Sequence, residues 1–231
     1  IHTFEKEKDV VLEEIAQYEN QPEELLLEKL LSLSWQNHTY GRNILGEKAS
    51  IKKSTPKMMK YFHERQYTVE NIVLSISGEI PHKIAPIVED AFKDIKLLKS
   101  KHKIPEDINK PIFYAGESEF KIDRLTLPRL AIAWPIEEAN KIDMMIKAEL
   151  ITIILCEGKN SRLVKQLSEK LQIIDNINME ILCQEEGSLI ILDVSFKEEN
   201  RTLVETEIKK ILSAMVEIEI QDYELLRAKK I

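Results

Sequence analysis

From Leu97 to Lys110 the sequence LLKSKHKIPEDINK loses every apolar period and fills with lysine around a single proline. Such a stretch has no face to bury, so it reads as a solvated linker between two folded parts. On its amino side the pattern runs helix, helix, loop, helix, strand, helix. On its carboxyl side it runs two strands, two helices, two strands and two helices. Strands and helices mixed on both sides of a linker predict an α+β duplication.

The individual elements follow from periodicity and punctuation. EKEKDVVLEEIAQY, Glu5 to Tyr18, is an amphipathic helix, and Asn20-Gln21-Pro22 breaks it. Pro22 followed by Glu23 and Glu24 starts a second helix with leucines at helical spacing through Trp35. NHTYGRNILGEKASI is loop-like, and Thr55 N-caps a third helix, PKMMKYFHERQY, with Met59, Tyr61 and Phe62 as its apolar side and His63 as a packing residue. In ENIVLSISGEI the alternation of Ile72, Leu74 and Ile76 predicts a strand. Beyond the linker, PIFYAGESEFKI and LPRLAIAWPI read as strands, IDMMIKAELITIILCEG as a helix closed by Gly158, and NSRLVKQLSEKL as a helix capped by Asn160 or Ser161. Strands around Ile177–Leu182 and Ser188–Phe196 and two further helices complete the series.

The opening helix carries a peculiar charge placement. At about 100° per residue Val10, Val11, Ile15 and Tyr18 gather on one stripe, with Leu12 at its edge. Lys6, Asp9, Glu13 and Gln17 fall on the opposite side or its flank. Glu7 and Glu14, seven positions apart, fall inside the stripe. Two turns bring the same side back with a drift of only ~20°, so the sequence predicts two carboxylates pointing inward, roughly 10 Å apart along the axis. A carboxylate so placed costs several kcal/mol unless a partner, hydrogen bonds or a metal compensates. Glu13, with the same side chain on the wet side, is the internal control.

The helix through VVLEEIAQYENQP, the second helix, HTYGRNILG and ENIVLSISGEI together resemble the pitrilysin/insulinase-type zinc metallopeptidases, especially their mitochondrial-processing-peptidase-like branch. In that family an inverted H-x-x-E-H helix supplies two histidine ligands and a general-base glutamate. A later helix supplies the third ligand as the second of two glutamates seven apart. The resemblance therefore implies that Glu14 is a zinc ligand and that Glu7 is the assisting catalytic carboxylate. It implies two similar domains, each a mainly antiparallel sheet with helices packed on one side. Residues 1–97 are then the C-terminal part of the first domain, 98–110 the linker, and 111–231 the N-terminal part of the second. A chain that begins at Ile1 and ends at Lys229-Lys230-Ile231 is expected to be a fragment spanning the end of one domain and the start of the next. Tyr40, Gly41 and Arg42 fall where the family has a packed turn beneath the site.

Two departures qualify what the resemblance implies. No H-x-x-E-H occurs in the sequence and the five histidines are scattered, so the chain alone is expected to bind zinc weakly or not at all. Active single-chain relatives also carry an Arg and, seven residues later, a Tyr that position the substrate backbone, and aligning SRLVKQLSEKLQIID on that motif places Ser168 and Asp175 there. The expected activity is thus a zinc-dependent endopeptidase acting on extended peptides in a chamber between domains or subunits. It would work in a homo- or hetero-dimer with a homologous subunit. The alternative is a non-catalytic structural or substrate-binding subunit on the same fold.

The net charge of −7, with acids and bases interspersed, gives nucleic-acid binding no electrostatic footing. The longest apolar run, Leu150–Cys156, falls far short of the ~20 residues that span a bilayer, so no membrane partner is expected. Cys156 and Cys183 follow leucines with no metal or redox spacing and read as buried free thiols, a disulfide between them being the alternative.

Overall fold

A computed structural model describes residues 2–68, 71–92 and 110–231. The element order is α1 (His2–Tyr18), α2 (Pro22–Ser34), α3 (Lys48–Lys53), α4 (Pro56–Gln66), α5 (Ile84–Phe92), β1 (Arg129–Ile136), α6 (Ile142–Cys156), a π-helix (Val164–Lys170), β2 (Ile174–Leu182), β3 (Ser188–Phe196), α7 (Arg201–Glu217) and α8 (Asp222–Ala228). Helices with an antiparallel sheet make the chain α+β, as its pattern predicts. The expected linker, 98–110, lies outside the described residues except for Lys110.

Packing groups the chain into two units, one of Ile1–Glu14 and Leu45–Ile108, the other of Ile15–Ile44 and Asn109–Ile231. The second unit is built on a three-stranded antiparallel sheet in the order β1-β3-β2. Its central strand SLIILDVSF reads as a nearly continuous apolar run because both of its faces are covered. Leu192, Val194 and Phe196 pack with Leu155 of α6, Leu163 and Leu167 around the π-helix, and Val204 and Ile208 of α7. Leu189 and Ile191 point to the other face and meet Trp35, Leu27, Leu30 and Leu31 from the α2 region. The first 44 residues thus supply a helix that closes the second face of a sheet formed more than 80 residues later.

The helix expected at NSRLVKQLSEKL is wound wide: Leu171 N–H donates to Gln166 O at 3.0 Å, and Gln172 follows in the left-handed region with φ 52°. Ser161 does not cap it; its hydroxyl donates to Gly158 O at 2.7 Å. PIFYAGESEFKI forms no strand among the described residues.

In the first unit α4 begins as expected, with Thr55 Oγ1 accepting from Met58 N–H at 3.3 Å. Its apolar residues Met58, Met59, Tyr61 and Phe62 are nevertheless exposed, and His63 stacks on Tyr67 (4.5 Å, 18°) at the surface instead of packing inward. Residues 71–80 form no strand, and Ile72, Val73, Leu74 and Ile76 stand exposed. Alternation marks a segment able to join a sheet, but a strand exists only where a neighbour takes up its hydrogen bonds.

Candidate metal-ligating helix

α1 packs along Phe4, Lys8, Val11, Leu12, Ile15 and Tyr18, all at least half-buried, with Ile15 only 4% exposed. Val10, expected on the same stripe, is 56% exposed. Relative to the sequence reading the packed side is rotated by roughly 50° about the axis. Lys8 explains part of that rotation. Its aliphatic stem lies on the packed side while its ammonium pairs with Glu5 at 3.0 Å and donates to Lys52 O at 3.4 Å. Hydropathy places lysine outside, so the pattern alone puts the stripe too far toward Val10.

This rotation corrects the expected direction of the two carboxylates. Glu7 and Glu14 are both exposed, on a flank about 80–100° from the line of Ile15, and they share it with Val10. They do remain on one side of the helix, and Glu13 lies farther round, toward the fully wet side. No burial penalty acts on either residue within the described chain, so the energetic reason for a compensating cation is absent here.

Zinc coordination in hydrolytic sites takes three protein ligands. Among the described residues no three His, Cys, Asp or Glu side chains gather closely enough to hold a metal ion. The described residues therefore do not make a zinc site by themselves. His38 is buried, and its Nδ1 accepts from Tyr40 N–H at 3.2 Å, which makes it the cap of the turn Thr39–Gly41. Packing around that turn is tight. A Cβ on Gly41 would lie 2.5 Å from Trp35 O, and Tyr40 Oη accepts from Glu186 N–H at 3.1 Å.

Ser168 is half-buried on the π-helix, and Asp175 is exposed at the register shift of β2 between Ile174 and Asn176. Neither side chain can do the work of a guanidinium or a phenol. Both cysteines are free. Burial, with Glu157 adding to it, pushes the Cys156 thiol up to about 12, whereas Cys183 is exposed and corrects the expectation of two buried thiols.

Sequence reasoning did not single out Arg129. At the start of β1 it donates from Nε to Asp193 Oδ1 at 3.1 Å, from Nη2 to Asp193 Oδ2, and from Nη1 to Glu23 Oε1 at 2.6 Å. The adjoining carboxylate of Asp193 raises the guanidinium's already high pKa. Only strand register reveals this group: Arg129 lies opposite Ser195, diagonal to Asp193 on β3.

Residues 53–231 match the family profile described as the peptidase M16 inactive domain. The chain belongs to the M16 peptidase family. Over 225 residues it is 24% identical to an uncharacterized zinc protease of Rickettsia felis, covering 97% of this chain and 53% of that protein. It is 29% identical over 134 residues to the mitochondrial-processing peptidase subunit beta of Neurospora crassa, covering 56% of this chain and 28% of that protein. In fold it is similar to a protease from Helicobacter pylori (TM-score 0.76, 21% identity, 98% of this chain and 56% of that one). It is also similar to a peptidase M16 inactive domain from Pseudomonas fluorescens (TM-score 0.79, 16% identity, 100% and 55%). The chain spans about half the length of the full-length relatives it matches. The profile match begins at residue 53, downstream of α1 and α2.

Proposed function

We propose that this chain is part of a zinc-dependent endopeptidase that hydrolyses extended peptides in a chamber between domains or subunits, and that it contributes Glu14 as one metal ligand. Glu7, two turns earlier on the same flank, assists by handling protons. Residues 1–97 then complete the first peptidase domain, and residues 111–231 begin the second. The observation that carries this reading is the likeness, across 97% of the chain and so through α1, to a protein named a zinc protease. A glutamate ligand offsets part of the metal's charge and is fixed by its own hydrogen-bond partners. The remaining ligands would have to come from outside these residues.

The test is made in the full-length protein, by metal content after dialysis. Glu14→Gln is expected to weaken zinc retention by more than the ~10–100-fold that follows loss of a residue supporting a ligand. Glu13→Gln, one position away, should leave it within error. Equal losses from the two would end the assignment.

Ser168 and Asp175 favour a second reading, a non-catalytic structural or substrate-binding subunit on the same fold. The first reading reconciles them through a dimer in which a homologous subunit helps to hold the peptide. Purified full-length protein that cleaves peptides only when mixed with a homologous subunit supports the dimer. Absence of cleavage in either condition supports the scaffold.

A further inference from the structure

The second unit contains an open cavity of about 570 Å³, walled by Glu19 and Asn20, by Leu25 and Lys29 of α2, and by residues 119–124. Every one of these residues belongs to that unit. The volume lies within the range of sites that take a small ligand. Leu25, Phe120 and Ile122 form its apolar wall. The charged lining is Lys29, Lys121 and Arg124 against Glu19, Glu119 and Asp123.

These charges are not equally disposed to meet a ligand. Glu119 gives both of its oxygens to Arg201, at 3.0 Å each, so a cation from outside the cavity already matches it. The cavity therefore leans positive. Lys29 holds its ammonium 5.9 Å from the centre of the Phe120 ring, a cation–π contact that joins the apolar wall to a positive charge. Arg124 bonds through Nη1, to Asn20 Oδ1 at 2.8 Å, and through no other nitrogen among the described residues. Asn20 is fixed in turn, because its Nδ2 donates to Ala16 O at 2.7 Å. Arg124 also has φ 66°, a left-handed conformation that residues with a Cβ keep only where their surroundings hold them. The guanidinium is thus held at one corner, and its other N–H groups can meet a carboxylate by a two-bonded, planar contact.

We infer that this cavity binds the C-terminal end of a short peptide, with the carboxylate on Arg124 and Lys121 and an apolar last side chain against Phe120 and Leu25. Asp123 faces the positive amino end. Capture of a terminal carboxylate together with its last side chain is a recurrent mode of peptide recognition. Only the origin of the ligand rests on the endopeptidase reading, because hydrolysis of an extended peptide leaves a new carboxylate at the cut.

The experiment measures binding calorimetrically with the full-length protein, using the tripeptide Ala-Ala-Phe, its C-terminal amide and inorganic phosphate as separate probes. The wild type should prefer the free acid to the amide by about tenfold or more, the scale of a lost hydrogen bond to a charged group. Arg124→Gln should weaken the acid by a similar factor and leave the amide unchanged, so that the preference collapses. A merely structural role for Arg124 would weaken both alike. Lys147→Gln, at an exposed lysine of α6 outside the cavity, should keep the full preference. Equal affinity for acid and amide in the wild type, or a preference that survives Arg124→Gln, would overturn the site. Binding of phosphate without binding of the tripeptide would overturn it too, as an anion site of another kind. Cleavage of longer peptides is followed in parallel. Cleavage without an acid preference removes the site and leaves the endopeptidase reading. An acid preference without cleavage keeps the site and removes that reading, leaving a subunit that binds peptide ends.

Discussion

The two packing units use their apolar residues in opposite ways. In the second unit β3 is buried on both faces, and Leu192, Val194, Val204 and Ile208 are sealed from solvent. In the first unit Thr68 is the only buried residue among those described, and Met59, Phe62, Leu74 and Ile87 face outward. The sequences do not differ to match: both contain amphipathic helices and alternating segments. What differs is whether a complementary surface exists within the described chain. Burial belongs to pairs of surfaces, and an apolar stripe without a partner contributes little to stability however regular its period.

Parallel truncations in the two units should expose this contrast most strongly. Leu192→Ala in the second unit should cost about 3–5 kcal/mol, read as a fall in the denaturant midpoint. Phe62→Ala, at a side chain 54% exposed, should change it by no more than ~0.5 kcal/mol. Similar costs at the two sites would show that the first unit has a core as well.

The next effect concerns the buried pair that ties α8 to the residues before the π-helix. Arg162 donates from Nε and Nη2 to the two oxygens of Glu224, both at 2.7 Å, and holds that carboxyl below the usual carboxylate range. A lowered folded-state pKa means stability that is present above the unfolded value of ~4.3 and lost as pH falls through the folded one. Acid titration of the second unit should show this loss, and Glu224→Gln should flatten it. Removing one partner of such a pair costs about 3–5 kcal/mol at neutral pH, less wherever water reaches the vacated site.

The smallest effect sharpens the picture of the first unit. Thr55→Ala removes the cap of α4 and should cost about 1 kcal/mol of helix stability. Because α4 has no buried face, the loss should appear as fraying in amide exchange at residues 56–60 and not as a shift of the global transition.

Much of the fold was legible in the sequence. Pro22 and Thr55 mark the starts of α2 and α4, Gly158 with φ 74° follows the end of α6, and the apolar run Ser188–Phe196 marks the strand β3. These features are local, set by backbone dihedrals and side-chain period, and need no distant partner. The strands expected at residues 71–80 and 111–122 carry the same local signal and yet are not formed, because pairing is a property of two segments. At the candidate site, the pattern found that Glu7 and Glu14 share one side of α1 but misjudged which way that side faces.

By itself the sequence determined most of the helices, the strands β1, β2 and β3, the α+β class and the seven-residue spacing of the two glutamates, since all of these depend largely on chemistry within a few residues of each position. Tertiary structure alone decided the azimuth of α1, the enclosure of Trp35 against Leu189 and Ile191, and the seating of Arg129 between Glu23 and Asp193. Each of those joins groups scores of residues apart, where strand register and packing, and no local preference, choose the partner.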